Sequence, residues 1–401
     1  MTDHLPAAPS GFLQGLTQDA EEWARCGLVR RRRTLDGPAG PHIRLRGERG
    51  EFLSFLSNDY LGLASVPSLR EAISAGAARW GSGAGSSALI SGHLACHADA
   101  EAALAEFTRF PAALLFITGY MANLAIIGSL LHGPGDAVFS DNLNHASLID
   151  GCRLSRARIV RYPHLDLDAL SRLLASTEAR RRLIVTDAVF SMDGDTADLP
   201  GLLALAERHD ALLLVDDAHG FGLRGPQGRG SIAAADLRSE RLILMGTLGK
   251  GAGLSGAFVA ASNLIIEHLV QRGRTYVFST APAPAVAYAI PLVLELIAEG
   301  EARRAALVEL RTAAALLLRR WRFPAGEGEM PIIPVFVGEA EETMGLVEAL
   351  AREGVLVAGI RPPTVPEGTS RLRISLSATH SLADIVTLGA AAQRVGLLAR
   401  T

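Results

Sequence analysis

Between residues 113 and 260 the chain repeats one unit, a short apolar run bounded by Gly, Asp or Pro and followed by a helix-like stretch. The runs are Ala113–Thr118, Ala137–Ser140, Arg158–Tyr162, Leu183–Asp187, Leu212–Asp216, Leu242–Gly246 and Ala257–Ala260. A spacing of about 20–30 residues leaves room for a crossover helix between strands. This predicts βαβ units and a largely parallel sheet flanked by helices. A helical region over 283–321 follows. Strands near Ile332–Val337, Val355–Ile360 and Leu372–Ser377 then alternate with helices at 341–353 and 381–397. The fold class is α/β, a large domain over 51–299 with a smaller C-terminal α+β domain over 300–401. Residues 1–50 form an N-terminal arm, helical over 12–35 and ending in Arg30, Arg31, Arg32 and Arg33.

Composition narrows the function. An apolar fraction of 49% with 20% charged residues describes a globular chain, and a net charge of −3 argues against tracking nucleic-acid phosphates. Cys26, Cys96 and Cys152 are too scattered for a zinc knuckle, so we expect no metal and a reduced compartment. Met1–Ser10 lacks the basic-then-apolar pattern of a signal peptide. Residues 276–294 are uncharged but carry Pro282, Pro284 and Pro291, which reads as a loop followed by a buried helix. The expectation is a cytoplasmic protein without a membrane segment.

In open α/β sheets the ligand lies beyond the carboxyl ends of the strands. Those ends hold Gly119 and Tyr120, then Asn144, His145 and Ser147, then Asp187 with Ser191. Asp216, Asp217 and His219 follow, and then Thr247 and Lys250. Among 39 Lys plus Arg residues Lys250 is the only lysine. Arginine replaces lysine wherever a positive charge suffices, but it cannot shed its proton or form an imine. Lys250 sits in Gly249-Lys250-Gly251-Ala252-Gly253, where a flat ring can approach the backbone. The phosphate-loop pattern fails, with Leu244 and Gly251 at its fixed positions, and no Gly-x-Ser-x-Gly elbow stands at a strand end.

A Schiff base with pyridoxal phosphate fits the set, because that cofactor needs a lysine and a carboxylate for its ring nitrogen. Asp216 can supply the carboxylate, His219 can reach the phenolic oxygen, and His145 can stack on the ring. The strand-to-helix junction at Gly119 and Tyr120 offers backbone amides to the phosphate, with Thr247 as a hydroxyl donor. Singly, each feature has a plainer reading: a structural histidine, helix caps, a glycine turn, a solvated arginine face. Their order and shared position at strand ends favour a site.

Four stretches carry a resemblance: Ser57-Asn58-Asp59-Tyr60-Leu61-Gly62-Leu63, Phe190–Asp195, Val215–Gly220 and Ile360–Pro366 continuing to Arg371-Leu372-Arg373. The chain resembles the α-oxoamine synthases, pyridoxal-phosphate enzymes of fold type I, from about residue 20 onwards. The stretch Arg361–Pro366 points to the branch that serves biotin synthesis. The resemblance implies that Lys250 carries the cofactor and acts as acid and base at Cα. It places Asp216 on the ring nitrogen, His219 and Ser191 at the phenolic oxygen, and Gly119, Tyr120 and Thr247 at the phosphate. Ser279 or Thr280 would come from a second subunit of a homodimer whose site lies at the interface. Asn58 and Arg373 would bind the amino-acid carboxylate, and Arg31 and Thr364 the acyl group. The implied substrates are L-alanine and a pimeloyl thioester of coenzyme A or acyl carrier protein. Glycine with acetyl- or succinyl-CoA is the rival within the family, and a non-catalytic binding protein the rival outside it. Two departures, Ala88 where relatives carry Arg and Phe221 where Thr is common, bear on acyl-chain fit.

Overall fold

A computed structural model describes residues 11–398, so Met1–Ser10 lies outside the described residues. In chain order the strands are β1 (His42–Ile43), β2 (Phe52–Ser54), β3 (Ala112–Phe116), β4 (Ala137–Asp141), β5 (Arg158–Tyr162), β6 (Arg182–Asp187) and β7 (Ala211–Asp216). They continue as β8 (Leu242–Thr247), β9 (Ala257–Ala261), β10 (Ile332–Gly338), β11 (Val355–Leu356), β12 (Ala358–Ile360) and β13 (Ser370–Ser375). The seven runs expected from the repeat, β3 to β9, form one sheet in the order β3-β9-β8-β7-β6-β4-β5. All neighbours are parallel except β9, which runs against both β3 and β8.

Apart from the edge strand β5, the sheet is buried on both faces. Ile184, Leu213, Val215 and Leu244 point into one apolar layer, while Leu183, Val185, Leu214, Ile243 and Met245 point into the other. That is why the strands read as unbroken apolar runs, a pattern confined to sheets with helices on both sides. The α/β fold class expected from the spacing is borne out.

Differences from the sequence expectation are local. The arm is helical only over Gly11–Arg25. Gly27 adopts φ +65° and the Leu28 amide donates back to the Trp23 carbonyl, the left-handed cap that ends a helix. The arginine run therefore leaves the helix as extended chain. The region 283–321 is two helices, Pro284–Ala298 and Glu301–Leu318, because the Arg304 guanidinium caps the Ile297 carbonyl at 2.7 Å. Val355–Ile360 divides between two sheets. β11 pairs with β2, and β12 pairs with β13. The sheet β1-β2-β11 thus joins chain from near residue 50 to the C-terminal portion. The helix Leu382–Arg394 begins with a capping box, Ser381 and Asp384 exchanging bonds with each other's backbone.

Candidate active site

β6 and β7 lie in register, with Asp187 opposite Asp216, so two carboxylates emerge side by side at the carboxyl edge. The turn after β7 carries His219, and the turn after β8 carries Lys250. Gly253 within that second turn has φ +64°, and a Cβ there would meet the Leu63–Ala64 backbone. Close approach at this glycine seats the lysine turn on the segment Asn58–Leu63.

One hydrogen-bonded chain crosses the site. Lys250 Nζ lies 2.7 Å from His219 Nε2, and His219 Nδ1 lies 2.6 Å from the Tyr60 hydroxyl. The Tyr60 hydroxyl is 3.2 Å from Asn58 Oδ1, which also accepts from the Arg373 guanidinium at 3.1 Å. Arg373 is fixed from behind by the Ser191 carbonyl at 2.7 Å and the Ser375 hydroxyl at 2.8 Å. Tyr60, His219 and Arg373 are buried. Burial, against the pull of Asp216 and Asp187, lowers the Lys250 amine to about 8. Burial, with the charge of Lys250, holds His219 well below the usual histidine range. The amine is thereby brought within reach of deprotonation.

A second network holds the carboxylates. Asp216 accepts from Asn123 Nδ2 at 2.7 Å and from the Ala218 amide at 3.0 Å. Asn123 also bonds the Ser147 hydroxyl at 2.9 Å, and Ser147 bonds His145 Nδ1 at 2.8 Å. The His145 amide donates to Asp187 at 2.7 Å. Burial and the neighbouring Asp216 push the Asp187 carboxyl well up, so Asp187 favours its neutral form. Desolvation in the cleft lowers His145.

The other expected residues divide. Thr118 caps the helix Gly119–Leu130 through Met121, leaving the Gly119 and Tyr120 amides in its first turn. The Tyr120 hydroxyl itself turns to Asp150. Thr247 closes its own turn, donating to the Gly256 carbonyl at 3.1 Å. Ser191 enters through its backbone carbonyl. Thr280 is exposed, pairs with Ser87 and makes no hydrogen bond to the Lys250 cluster. Arg31 and Thr364 are exposed, yet their segments meet, since Arg361 donates to the Val29 carbonyl at 2.9 Å. Sequence reading did not assign roles to Tyr60, Asn123, Asp187 or Ser147. Asn123 carried a signal, being an amide in an otherwise apolar helix. A cavity of ≈ 1190 Å³ opens at the opposite edge, where Arg182, Leu212 and Leu242 begin their strands. It contains neither Lys250 nor His219, and chemistry outweighs volume in locating the site.

The residues fit pyridoxal phosphate. Asp216 is a buried carboxylate whose two oxygens have neutral donors but, among the described residues, no cationic side chain within ion-pair distance. A protonated ring nitrogen completes that environment. With an imine-forming amine lying across the cleft from it, this is the site of a fold-type I pyridoxal-phosphate enzyme.

Comparison with known proteins agrees. The family model described as aminotransferase class I and II matches residues 51–391. The 8-amino-7-oxononanoate synthase of Nitrosospira multiformis is 52% identical over 382 residues, covering 95% of this chain and 96% of that one. A solved serine palmitoyltransferase from S. paucimobilis, with bound PLP and myriocin, matches with TM-score 0.89 and 30% identity, covering 97% of this chain and 100% of that one. The 8-amino-7-oxononanoate synthase of Francisella tularensis matches with TM-score 0.73 and 30% identity, covering 86% and 98%. The chain belongs to the class I and II aminotransferase family and, within it, to the group of 8-amino-7-oxononanoate synthases.

Proposed function

We propose that this chain condenses L-alanine with a pimeloyl thioester of coenzyme A or acyl carrier protein. The products are 8-amino-7-oxononanoate, carbon dioxide and the free thiol, a step of biotin synthesis. The carrying observation is the chain from Lys250 through His219, Tyr60 and Asn58 to Arg373, which sets a deprotonatable amine at a fixed distance from a carboxylate-binding guanidinium.

Asp216 would hold the ring nitrogen, His145 the ring face and Lys250 the aldehyde carbon. Ser191 and His219 would lie by the phenolic oxygen. Gly119, Tyr120 and Thr247 would surround the phosphate, with Thr280 of a second subunit. Bound pyridoxal phosphate supplies an electron-withdrawing ring that delocalises the electron pair left at the substrate's Cα. Arg373 and Asn58 grip the alanine carboxylate and turn the Cα–H bond towards Lys250. Lys250 Nζ, left free once the alanine amine takes its place, takes that proton. Cα then bonds to the thioester carbonyl carbon, and the carbon–sulfur bond breaks to release the thiolate, which takes a proton from solvent. His145 polarises the new carbonyl, the original carboxylate leaves as carbon dioxide, and Lys250 returns a proton to Cα. Arg31 and Thr364 take the far end of the acyl chain, where a carboxylate pairs with guanidinium in two parallel bonds.

We divide the chain into an arm over 1–50, a cofactor domain over 51–299 and a small domain over 300–401. We infer a homodimer with sites at the interface, which the exposed apolar side chains of Leu89, Ile90 and Phe278 support. Among the described residues no helix is long and apolar enough to cross a membrane, and Cys26, Cys96 and Cys152 are all free thiols. Both features support a cytoplasmic setting. Mass analysis of products from a panel of alanine, glycine and serine against acetyl-, succinyl- and pimeloyl-CoA decides the substrate. Alanine with pimeloyl-CoA should give the dominant product, and preference for glycine would overturn the assignment.

A further inference from the structure

Donor and acceptor accounting fixes the protons in the buried chain that ends at Lys250. Arg373 can only donate, so the Asn58 atom it contacts at 3.1 Å must be the carbonyl oxygen. The same oxygen faces the Tyr60 hydroxyl at 3.2 Å and can only accept, so Tyr60 spends its one proton there. Tyr60 must then accept at its 2.6 Å contact with His219, which places the ring proton of His219 on Nδ1. His219 Nε2, stripped of a proton, accepts from Lys250 Nζ at 2.7 Å. Each step follows from the one before it.

We propose that Tyr60 is a positioning residue that fixes the His219 tautomer, so that Nε2 faces Lys250 as an acceptor, and ties that tautomer to the Asn58–Arg373 pair. Tyr60 touches neither cofactor nor substrate in this role, which rests on the function proposed above. Its hydroxyl is enclosed: Tyr60 has no exposed surface, and His219 has 4%. Water is therefore shut out as a substitute partner, and a wrong tautomer would either leave two acceptors face to face or draw the Tyr60 proton away from Asn58 Oδ1. The other titratable and charged groups around Lys250 are Asp216 and Asp187 from the strand ends, Arg373 from β13 and His145. None of them contacts His219 Nδ1 among the described residues.

The single lysine makes the test direct. Growth on [¹³Cε]lysine labels the side chain of Lys250 alone, so its titration is read by NMR in the full chain freed of cofactor, with no turnover involved. In Tyr60→Phe the Nδ1 proton loses its acceptor, His219 turns over its tautomer, and Nε2 ceases to accept. The Lys250 midpoint should then fall by about one pH unit, the scale of one hydrogen bond to a charged group. An unchanged midpoint in a folded Tyr60→Phe chain overturns the proposal. Nitrogen shifts of [¹⁵N]histidine-labelled wild type, with His219 assigned by its loss in His219→Asn, give a second reading that needs no Tyr60 variant. An Nδ1-protonated pattern supports the proposal, and an Nε2-protonated pattern refutes it. A failed substrate assignment would show in the product panel and leave both readings unchanged.

Discussion

At the scale of single residues the site depends on two groups whose chemistry has no close substitute. Lys250→Arg keeps a positive charge of similar reach but removes the capacity for an imine. The variant should melt within a few degrees of wild type, take up no borohydride-fixed cofactor mass at position 250 and give no product. A covalent adduct with turnover would exclude Lys250 as the attachment point. Asp216→Asn keeps the size and one of the two acceptors, which serves either Asn123 or the Ala218 amide, while removing the charge meant for the ring nitrogen. The rate should fall about a hundredfold or more, the scale of losing one preorganised electrostatic partner. Steady-state rates at saturating alanine read this, and a loss below threefold would remove Asp216 from that role.

At the scale of elements, the loop after β6 is held by charges at two points. His164 bridges Asp141 at 2.9 Å and Asp195 at 2.8 Å, and Arg371 pairs with Asp193. Just ahead of these anchors in the chain, the Ser191 carbonyl positions Arg373. Desolvation alone would lower His164, but its bonds to the two carboxylates outweigh this and raise it to about 9. A histidine raised on folding contributes stability that is complete below its unfolded value of about 6.5 and is lost as pH climbs through the folded value. The melting-temperature gap between wild type and His164→Asn should therefore be wide at pH 6 and narrow above pH 9. A gap constant across that window would show that shape, not charge, holds the loop. The same variant should weaken alanine binding more than it lowers the maximal rate, because Arg373 loses its support.

At the scale of the whole molecule, Thr280 is exposed and pairs with Ser87 and not with the Lys250 cluster, which a shared interface would explain. If each site takes Lys250 from one subunit and Thr280 from the other, two defective chains can repair each other. Lys250→Arg mixed and re-associated with Thr280→Val should regain activity, since the heterodimer contains one site with both residues intact. Mixed chains no more active than the Thr280→Val homodimer would place both residues of a site in one subunit.

Much of this was legible before any tertiary contact was known. Apolar runs of four to six residues with crossover spacing specified strands and a parallel sheet, because burial on both faces demands such runs. Arginine stands at every basic Lys or Arg position but one, and imine chemistry explains the lysine retained at position 250. Boundaries were read less well where one contact decides them. Gly27 ends the arm helix before the arginine run, and Arg304 divides the long helical region at Gly300. The pairing of residues was not legible. Tyr60 meets His219 across 159 positions, and Asn58 meets Arg373 across 315. Such contacts depend on the sheet order β3-β9-β8-β7-β6-β4-β5 and on β13 folding back beside β10. Local sequence determines which segments become strands and which side chains have the required chemistry. Only the assembled sheet decides which of them share a proton, because that depends on the packing of segments hundreds of residues apart.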